Sequence, residues 1–226
     1  MNDKVVVAAF DVDGTLTTRD CVRPFLERAA GRRRLVTAVL RRPLATLVAA
    51  VRLDRDRMKE IIVGGSLRGK LVADVERKGE QFAQYVLVNW LRPDTLRRLQ
   101  WHQRSGHRTV FVSASLAAYL RPMAQRLGID DVLCTDSLRS GDRYSDRLNG
   151  PNCRAAEKRR RFDQWLEEQR WVDVEVWAYG DSAGDRELLA RADHVLIGVD
   201  TDHLVEEMRQ PQGDDSGTAA DVDGPA

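Results

Sequence analysis

Two acidic residues one position apart, Asp11 and Asp13, directly follow the apolar run Val5-Val6-Val7-Ala8-Ala9-Phe10. Such a run reads as a buried parallel strand, and open α/β sheets build their active sites at the carboxyl ends of such strands. Ser113 closes a second apolar stretch, residues 109–112, with a helix starting a few residues on. A hydroxyl there can bind one phosphate oxygen, and backbone N–H groups at a helix start can bind others. Lys158 lies on a helix after Gly150-Pro151-Asn152-Cys153, and Asp181 and Asp185 follow a third apolar stretch, residues 174–179. Each alone has an ordinary reading: a turn carboxylate, a helix cap, a solvated lysine, a pair of capping acids. Together, in this order and each after the right element, they are much harder to dismiss as ordinary. The tetrapeptide Asp-Val-Asp-Gly recurs at 221–224 with no strand before it. Four letters alone therefore decide nothing, and that copy is expected to be inert.

The elements that must position these residues alternate. Strands are predicted at 5–10, 109–112, 131–135, 174–179 and 194–197, and helices at 93–104, 116–127, 153–169 and 184–191. A hairpin is expected over 137–149, around Ser140-Gly141-Asp142. Alternating strands and helices imply a Rossmann-like parallel sheet with helices on both faces. Residues 20–90 carry helical periodicity without a convincing strand, punctuated by Pro43 and Gly64-Gly65, and read as an inserted helical cap. The catalytic core is then residues 1–19 and 91–210. Residues 211–226 have almost nothing to bury and read as a disordered tail.

At 226 residues the chain can bury a proper core. Its 36 Lys and Arg against 35 acidic residues argue against a broad electrostatic interaction with nucleic acid. Cys21, Cys134 and Cys153 lack metal-ligand spacing, and no zinc signature includes the four histidines. With no apolar leader before the first strand and no span long enough to cross a bilayer, the expectation is a reduced, cytoplasmic protein.

The motifs over residues 5–199 resemble the haloacid dehalogenase superfamily, subfamily IB, the phosphoserine phosphatase-like group with a C1-type helical cap. Asp11 and Asp13 match its first motif, Ser113 the second, Lys158 the third, and Asp181 with Asp185 the fourth. The resemblance implies a Mg²⁺-dependent phosphatase that hydrolyses a phosphate monoester of a small organic molecule through an aspartyl-phosphate. It implies Asp11 as nucleophile and metal ligand, and Asp13 as acid/base that also meets the metal through its backbone carbonyl. Asp181 and Asp185 would be further metal ligands, and Ser113, Ala114 and Lys158 would hold the phosphoryl group. The chemistry agrees with these residue types. A carboxylate nucleophile splits a reaction that needs accelerations of up to about 10²¹ into two easier steps. Its approach to a phosphate dianion costs roughly 4 kcal/mol per charge pair at ~4 Å and an effective dielectric near 20. Mg²⁺ and Lys158 are the compensating charges.

The cap bears on the substrate. In phosphoserine phosphatases an acid soon after the first motif and a basic cap residue recognise the amino acid, and Asp20 and Lys59 stand at comparable places. Asp20 is shorter than the usual Glu, and Ser113-Ala114-Ser115 replaces the usual Ser-Gly-Gly, which argues against phosphoserine. A helix N-cap and an exposed charge are the structural alternatives for Asp20 and Lys59. Residues 32–57 hold two apolar stretches flanked by arginines. The preferred reading is two cap helices packing their apolar faces on one another. The alternative is contact with an anionic membrane, with a lipid-phosphate phosphatase similar to phosphatidylglycerophosphatases as the corresponding activity. A phosphotransferase or mutase is a further alternative. A receiver-type signalling domain fits less well because its phosphoacceptor lies on a later strand. A calcium loop fails because Thr15 occupies a ligand position and Gly14 comes too early.

Overall fold

The computed structural model describes residues 4–197. Strand β1 (Val5–Phe10) is flat against two layers, with Ala8 and Phe10 in one apolar cluster and Val7 and Ala9 in another. This period-two split, buried on both sides, is what a central parallel strand requires. The chain then leaves the sheet for five helices: α1 (Val22–Ala30), α2 (Arg32–Leu40), α3 (Pro43–Val51), α4 (Arg55–Leu67) and α5 (Val72–Asn89). It returns through α6 (Pro93–Arg104), β2 (Arg108–Leu116), α7 (Ala117–Leu127) and β3 (Asp131–Thr135). A hairpin of β4 (Ser137–Ser140) and β5 (Arg143–Leu148) follows, then α8 (Ala156–Gln169), β6 (Val174–Gly180), α9 (Arg186–Leu189) and β7 (His194–Ile197).

The five-stranded sheet has the order β3-β2-β1-β6-β7, all parallel. The strand order reverses at β1, and the crevice outside the carboxyl ends of strands at such a point is where α/β proteins bind ligands. Phe10 lies opposite Phe111 on one side and Tyr179 on the other, so the residues just past it share one edge with Ser113 and Asp181. The expected α/β architecture with its helical insertion is present. Three elements differ from their predicted bounds by more than one residue. Strand β2 runs on to Leu116 through a register shift after Ser113. Helix α8 begins only at Ala156, because residues 150–155 form a loop ending in Ala155 at φ 51°. Helix α9 is short because side-chain bonds within residues 182–185 already close a turn. The predicted tail at 211–226 and the second Asp-Val-Asp-Gly lie outside the described residues.

The helical insertion shares its apolar cluster with the sheet. Tyr119 of α7 stands between Phe25 of α1 and Phe82 of α5, with ring centroids 4.9 and 5.3 Å away. A Cβ at Gly79 of α5 would sit 1.9 Å from the carbonyl oxygen of Ala118, so α5 and α7 touch backbone to backbone. On its other flank the insertion is stitched to the hairpin: Gly69 N–H donates to the Tyr144 carbonyl at 2.8 Å and Tyr144 N–H to the Lys70 carbonyl at 2.9 Å. Helices α2 and α3 correct the sequence-based preference. They do not pack their apolar faces on each other; Leu40, Leu44, Leu47 and Val51 are exposed, and it is the small Ala38 and Ala49 that are buried. Among the described residues no helix is long and apolar enough to cross a membrane.

Beneath the site, the ring of Tyr179 stacks on Phe10 at 4.3 Å, and its hydroxyl meets Nε2 of the fully buried His102 at 2.7 Å. Burial, followed by His107 and Arg98, pushes His102 down to about 3. The unfolded chain, titrating near 6.5, takes up this proton first as the pH falls. Stability from this group is therefore complete above about pH 6.5 and is lost towards pH 3. His102→Gln is expected to flatten the acid limb of a stability–pH profile by up to about 1.4 kcal/mol per pH unit, measured by urea unfolding. Gly79→Ala is expected to destabilise by roughly 1–3 kcal/mol through overpacking, and an unchanged urea midpoint would refute the backbone contact.

Candidate active site

The loop after β1 is tightly wound. The backbone N–H groups of Thr15, Leu16 and Thr17, with the Thr17 hydroxyl, all converge on the carbonyl of Val12 at 2.9–3.2 Å. Gly14 sits at φ 91°, and a Cβ there would lie 2.3 Å from Oδ2 of Asp181. Glycine is thus required twice over, by its left-handed backbone and by the approach of the Asp181 carboxylate. Thr15 ties the two loops together, its hydroxyl 3.0 Å from Oδ1 of Asp181 and 3.4 Å from Oδ2 of Asp11.

Lys158 reaches into this edge from α8. Its Nζ lies 2.5 Å from Oδ1 of Asp11 and 2.5 Å from Oδ1 of Asp185, and all three side chains are buried. Ala155 positions it: the strained residue at the head of α8 donates its backbone N–H to the Gly184 carbonyl at 2.9 Å, locking the helix onto the Asp185 loop. Asp185 is held in turn by the backbone N–H and hydroxyl of Ser182, at 3.0 and 2.6 Å. Burial works against the Lys158 charge, but Asp11 and Asp185 outweigh it and raise its pKa. One lysine offsets only one of two buried carboxylates. Burial, with the Asp185 charge, accordingly raises Asp11 despite Lys158.

Asp11, Asp181 and Asp185 each present a carboxylate oxygen, and these oxygens lie within 4.8 Å of one another. An all-oxygen set with surplus negative charge, partly exposed through Asp181, fits a hard divalent cation that keeps some of its waters. The Asp13 carboxylate stands apart from this cluster. Its Oδ1 accepts the backbone N–H of Cys21 at 3.1 Å and its Oδ2 the hydroxyl of Ser115 at 2.8 Å. Burial, then the charges of Asp20 and Asp11, push Asp13 up to about 7.

A cavity of about 210 Å³ opens over these groups, bounded by Asp11, Asp13, Ser113, Ala114, Lys158 and Asp185 from the sheet side. Asp20 and Lys59 close it from the insertion. All the sequence-predicted residues therefore converge, with Asp181 in the acidic cluster beside the cavity. Asp20 also accepts the backbone N–H of Arg23 at 3.2 Å, so it serves the start of α1 as well as facing the cavity. Lys59 donates to the Ala114 carbonyl, and burial lowers it to about 8 against the opposing pull of Asp13 and Asp20.

Several residues here escaped the sequence reading. Ser115, noted there only as a departure from Ser-Gly-Gly, anchors Asp13, while its backbone N–H donates to Oγ of Ser113 at 3.1 Å. Asn152 bridges sheet and insertion, accepting the Thr135 hydroxyl at 2.8 Å and donating to Asp56 at 2.7 Å. Arg55 and Arg154 also line the cavity. The Gly150-Pro151-Asn152-Cys153 segment was the one available signal for Asn152; no spacing pointed to Arg55.

Residues 8–190 match the haloacid dehalogenase-like hydrolase family. The chain belongs to that family. This haloacid dehalogenase-like hydrolase is 36% identical over 195 residues to protein CicA of Caulobacter vibrioides, across 85% of this chain and 86% of CicA. Among solved structures, a protein of unknown function from Bordetella pertussis Tohama I is similar with TM-score 0.67 and 20% identity, covering 92% of this chain and 96% of that one. A substrate-bound phosphoserine phosphatase is similar with TM-score 0.59 and 14% identity over 87% of each chain. At these identities the likeness is one of fold.

Removing the lysine leaves two buried carboxylates facing each other. Lys158→Met is expected to destabilise the protein in EDTA by roughly 3–5 kcal/mol, with part of the loss recovered in millimolar Mg²⁺, as read by urea unfolding. A midpoint unmoved by the substitution would show that the lysine does not hold the cluster.

Proposed function

We propose that this hydrolase is a Mg²⁺-dependent phosphomonoesterase working through an aspartyl-phosphate. The observation that carries the reading is the buried Asp11–Lys158–Asp185 group beside an Asp13 whose pKa sits near 7. Asp11 is the nucleophile: its carboxylate oxygen bonds to phosphorus as the bond to the ester oxygen breaks. Asp13, protonated in part at neutral pH, gives its proton to that leaving oxygen. As a carboxylate it then accepts a proton from the water that attacks phosphorus, and inorganic phosphate leaves with Asp11 restored. Ser113 and Lys158 bind non-bridging oxygens of the phosphoryl group, and the Ala114 backbone borders them. Asp11, Asp181 and Asp185 are the groups to hold Mg²⁺, which supplies charge neutralisation for the approach of carboxylate to phosphate.

The division of labour between the two first-loop acids follows from their surroundings. Burial raises both acids, but Asp11 has a cation, Lys158, in contact beside Thr15, whereas Asp13 is held by one N–H and one hydroxyl with no cation bonded to it. An acid in the second environment keeps its proton to a pH at which it can return it, as general acid/base catalysis requires.

The purified protein is expected to hydrolyse 4-nitrophenyl phosphate with Mg²⁺ and to stop on addition of EDTA. Asp11→Asn should remove nearly all turnover while leaving the thermal melting profile in place, and Asp13→Asn should lower kcat by about 10²–10⁴-fold. Retention of the wild-type rate in Asp11→Asn would sink the mechanism. Phosphate recovered on a second organic molecule rather than as inorganic phosphate would identify a phosphotransferase instead.

A further inference from the structure

The helical insertion encloses a second, larger cavity that the chemistry above leaves unused. It measures about 860 Å³, against about 210 Å³ over the catalytic groups, and lies among α1, α2, α3 and α4. Asp20, Val22, Arg55 and Lys59 line both, so the two spaces adjoin across a common wall. Beyond that wall the surfaces are mostly aliphatic, with Leu26, Leu35, Val39, Met58, Ile62 and Val63, and Arg23, Glu27, Arg32 and Asp54 also border the space. The smaller cavity has room for a phosphate and little more, whereas the larger is of the size that holds a whole organic ligand. Its lining suits an elongated apolar group, and a polar leaving group the size of serine would leave most of it unfilled.

The outer surface of the same helices carries a matching feature. Leu44, Leu47, Val48 and Val51 are exposed at positions i, i+3, i+4 and i+7, one continuous stripe along α3, while Ala49 faces inward. Val36 and Leu53 line the large cavity and are themselves 59% and 83% exposed, so the cavity opens beside this stripe. A helix of a water-soluble domain ordinarily turns such a stripe inward. Around it the charge is one-sided: residues 32–57 hold eight arginines and two aspartates in a chain of net charge +1. Arg32, Arg42 and Arg57 pair with Glu27, Asp146 and Glu60, but Arg33, Arg41, Arg52 and Arg55 form no ion pair among the described residues. An apolar ridge fringed by free guanidinium groups is complementary to an anionic bilayer, where aliphatic side chains enter the acyl boundary and arginines meet lipid phosphates. At nine residues α3 is long enough to lie along such a surface and too short to span it.

We propose that the substrate is a lipid phosphate monoester drawn from an anionic membrane surface on which α2 and α3 rest, its acyl chain occupying the larger cavity and its phosphate the smaller. This rests on the phosphatase reading above and names its substrate class. The reaction is the same hydrolysis: the phosphorus–oxygen bond to the lipid breaks, the lipid alcohol keeps that oxygen and takes the Asp13 proton, and water supplies the new oxygen of inorganic phosphate and the proton that restores Asp13.

The test compares kcat/KM of the full chain with Mg²⁺ for 1-oleoylglycerol 3-phosphate, glycerol 3-phosphate and 4-nitrophenyl phosphate. The acylated ester is expected to exceed glycerol 3-phosphate by at least about 100-fold, since only it uses the apolar cavity. Filling that cavity with Val39→Trp should cut this ratio by about tenfold or more. The protein should float with phosphatidylcholine vesicles only when they contain phosphatidylglycerol, and the surface variant Leu47→Asp/Val51→Asp should lose flotation while melting at the wild-type temperature. Equal turnover of the two glycerol phosphates, with 4-nitrophenyl phosphate still hydrolysed, overturns the lipid assignment and spares the phosphatase. Absence of turnover on all three esters brings down both. A concentration-dependent dimer without vesicle binding would assign the α3 stripe to a second copy and also overturn the proposal.

Discussion

Burying two carboxylates is the cost around which this structure is arranged. Asp11 and Asp185 are out of water, and an unpaired buried carboxylate is among the most destabilising groups a protein can hold. Lys158 is the counter-charge, and it can reach both only because α8 starts where it does. That start depends on Ala155, whose N–H bonds the Gly184 carbonyl; Asp185 in turn comes close because Gly180 has no side chain, a Cβ there lying 2.7 Å from the Cβ of Asp185. Gly14 makes the corresponding allowance for Asp181. Backbone contacts on three loops thus serve a single electrostatic requirement. The strand order of the sheet brings those loops to one edge.

The insertion is anchored at two places that differ in kind. Towards the sheet it is joined by apolar packing, through Phe25, Phe82 and Tyr119 and the bare backbone contact at Gly79. Towards the hairpin it is joined by polar backbone bonds and by the Arg42–Asp146 ion pair at 2.5 Å, with Gly64 close enough that a Cβ would meet the Asp146 carbonyl oxygen at 2.1 Å. Helices α4 and α5 reach the hairpin, and α1 and α5 the sheet side. The α2–α3 pair is attached through the small residues Ala38 and Ala49, with Gly65 of α4 against Ala38, and through Arg42, which pairs with Asp146. Helix α4 carries Lys59 to the cavity, and the apolar stripe of α3 faces solvent.

Much of the core was legible because its signals are local. Strands at 5–10, 131–135 and 194–197 and the helix at 93–104 have the bounds their apolar runs and flanking Pro and Gly imply. Asp11, Asp13, Asp181 and Asp185 follow apolar runs, Ser113 closes one and Lys158 lies on a helix, so each carries a local signal. The misses are relations between distant residues. Nothing near Asn152 announces that it will bridge Thr135 and Asp56, and an alanine gives no sign that it will occupy a left-handed conformation at the head of α8. The α2–α3 segment is a third kind of case. Helical spacing of Leu44, Leu47 and Val51 establishes a stripe but not the direction it faces, since that depends on what the rest of the chain leaves uncovered.

Strand β1 also has a history that the finished fold conceals. Its partners, Arg108–Leu116 on one side and Val174–Gly180 on the other, both come much later in the chain. The five helices of the insertion are complete before either neighbour has emerged from the ribosome. Through most of synthesis, then, a fully apolar strand destined for the centre of the sheet has both edges unpaired, and sheet closure waits on contacts of long sequence separation. Its shortness, six residues followed at once by two aspartates, keeps that exposed segment small and flanks it with charge. Asp11 and Asp13 thereby double as gatekeepers against misassociation of the nascent chain.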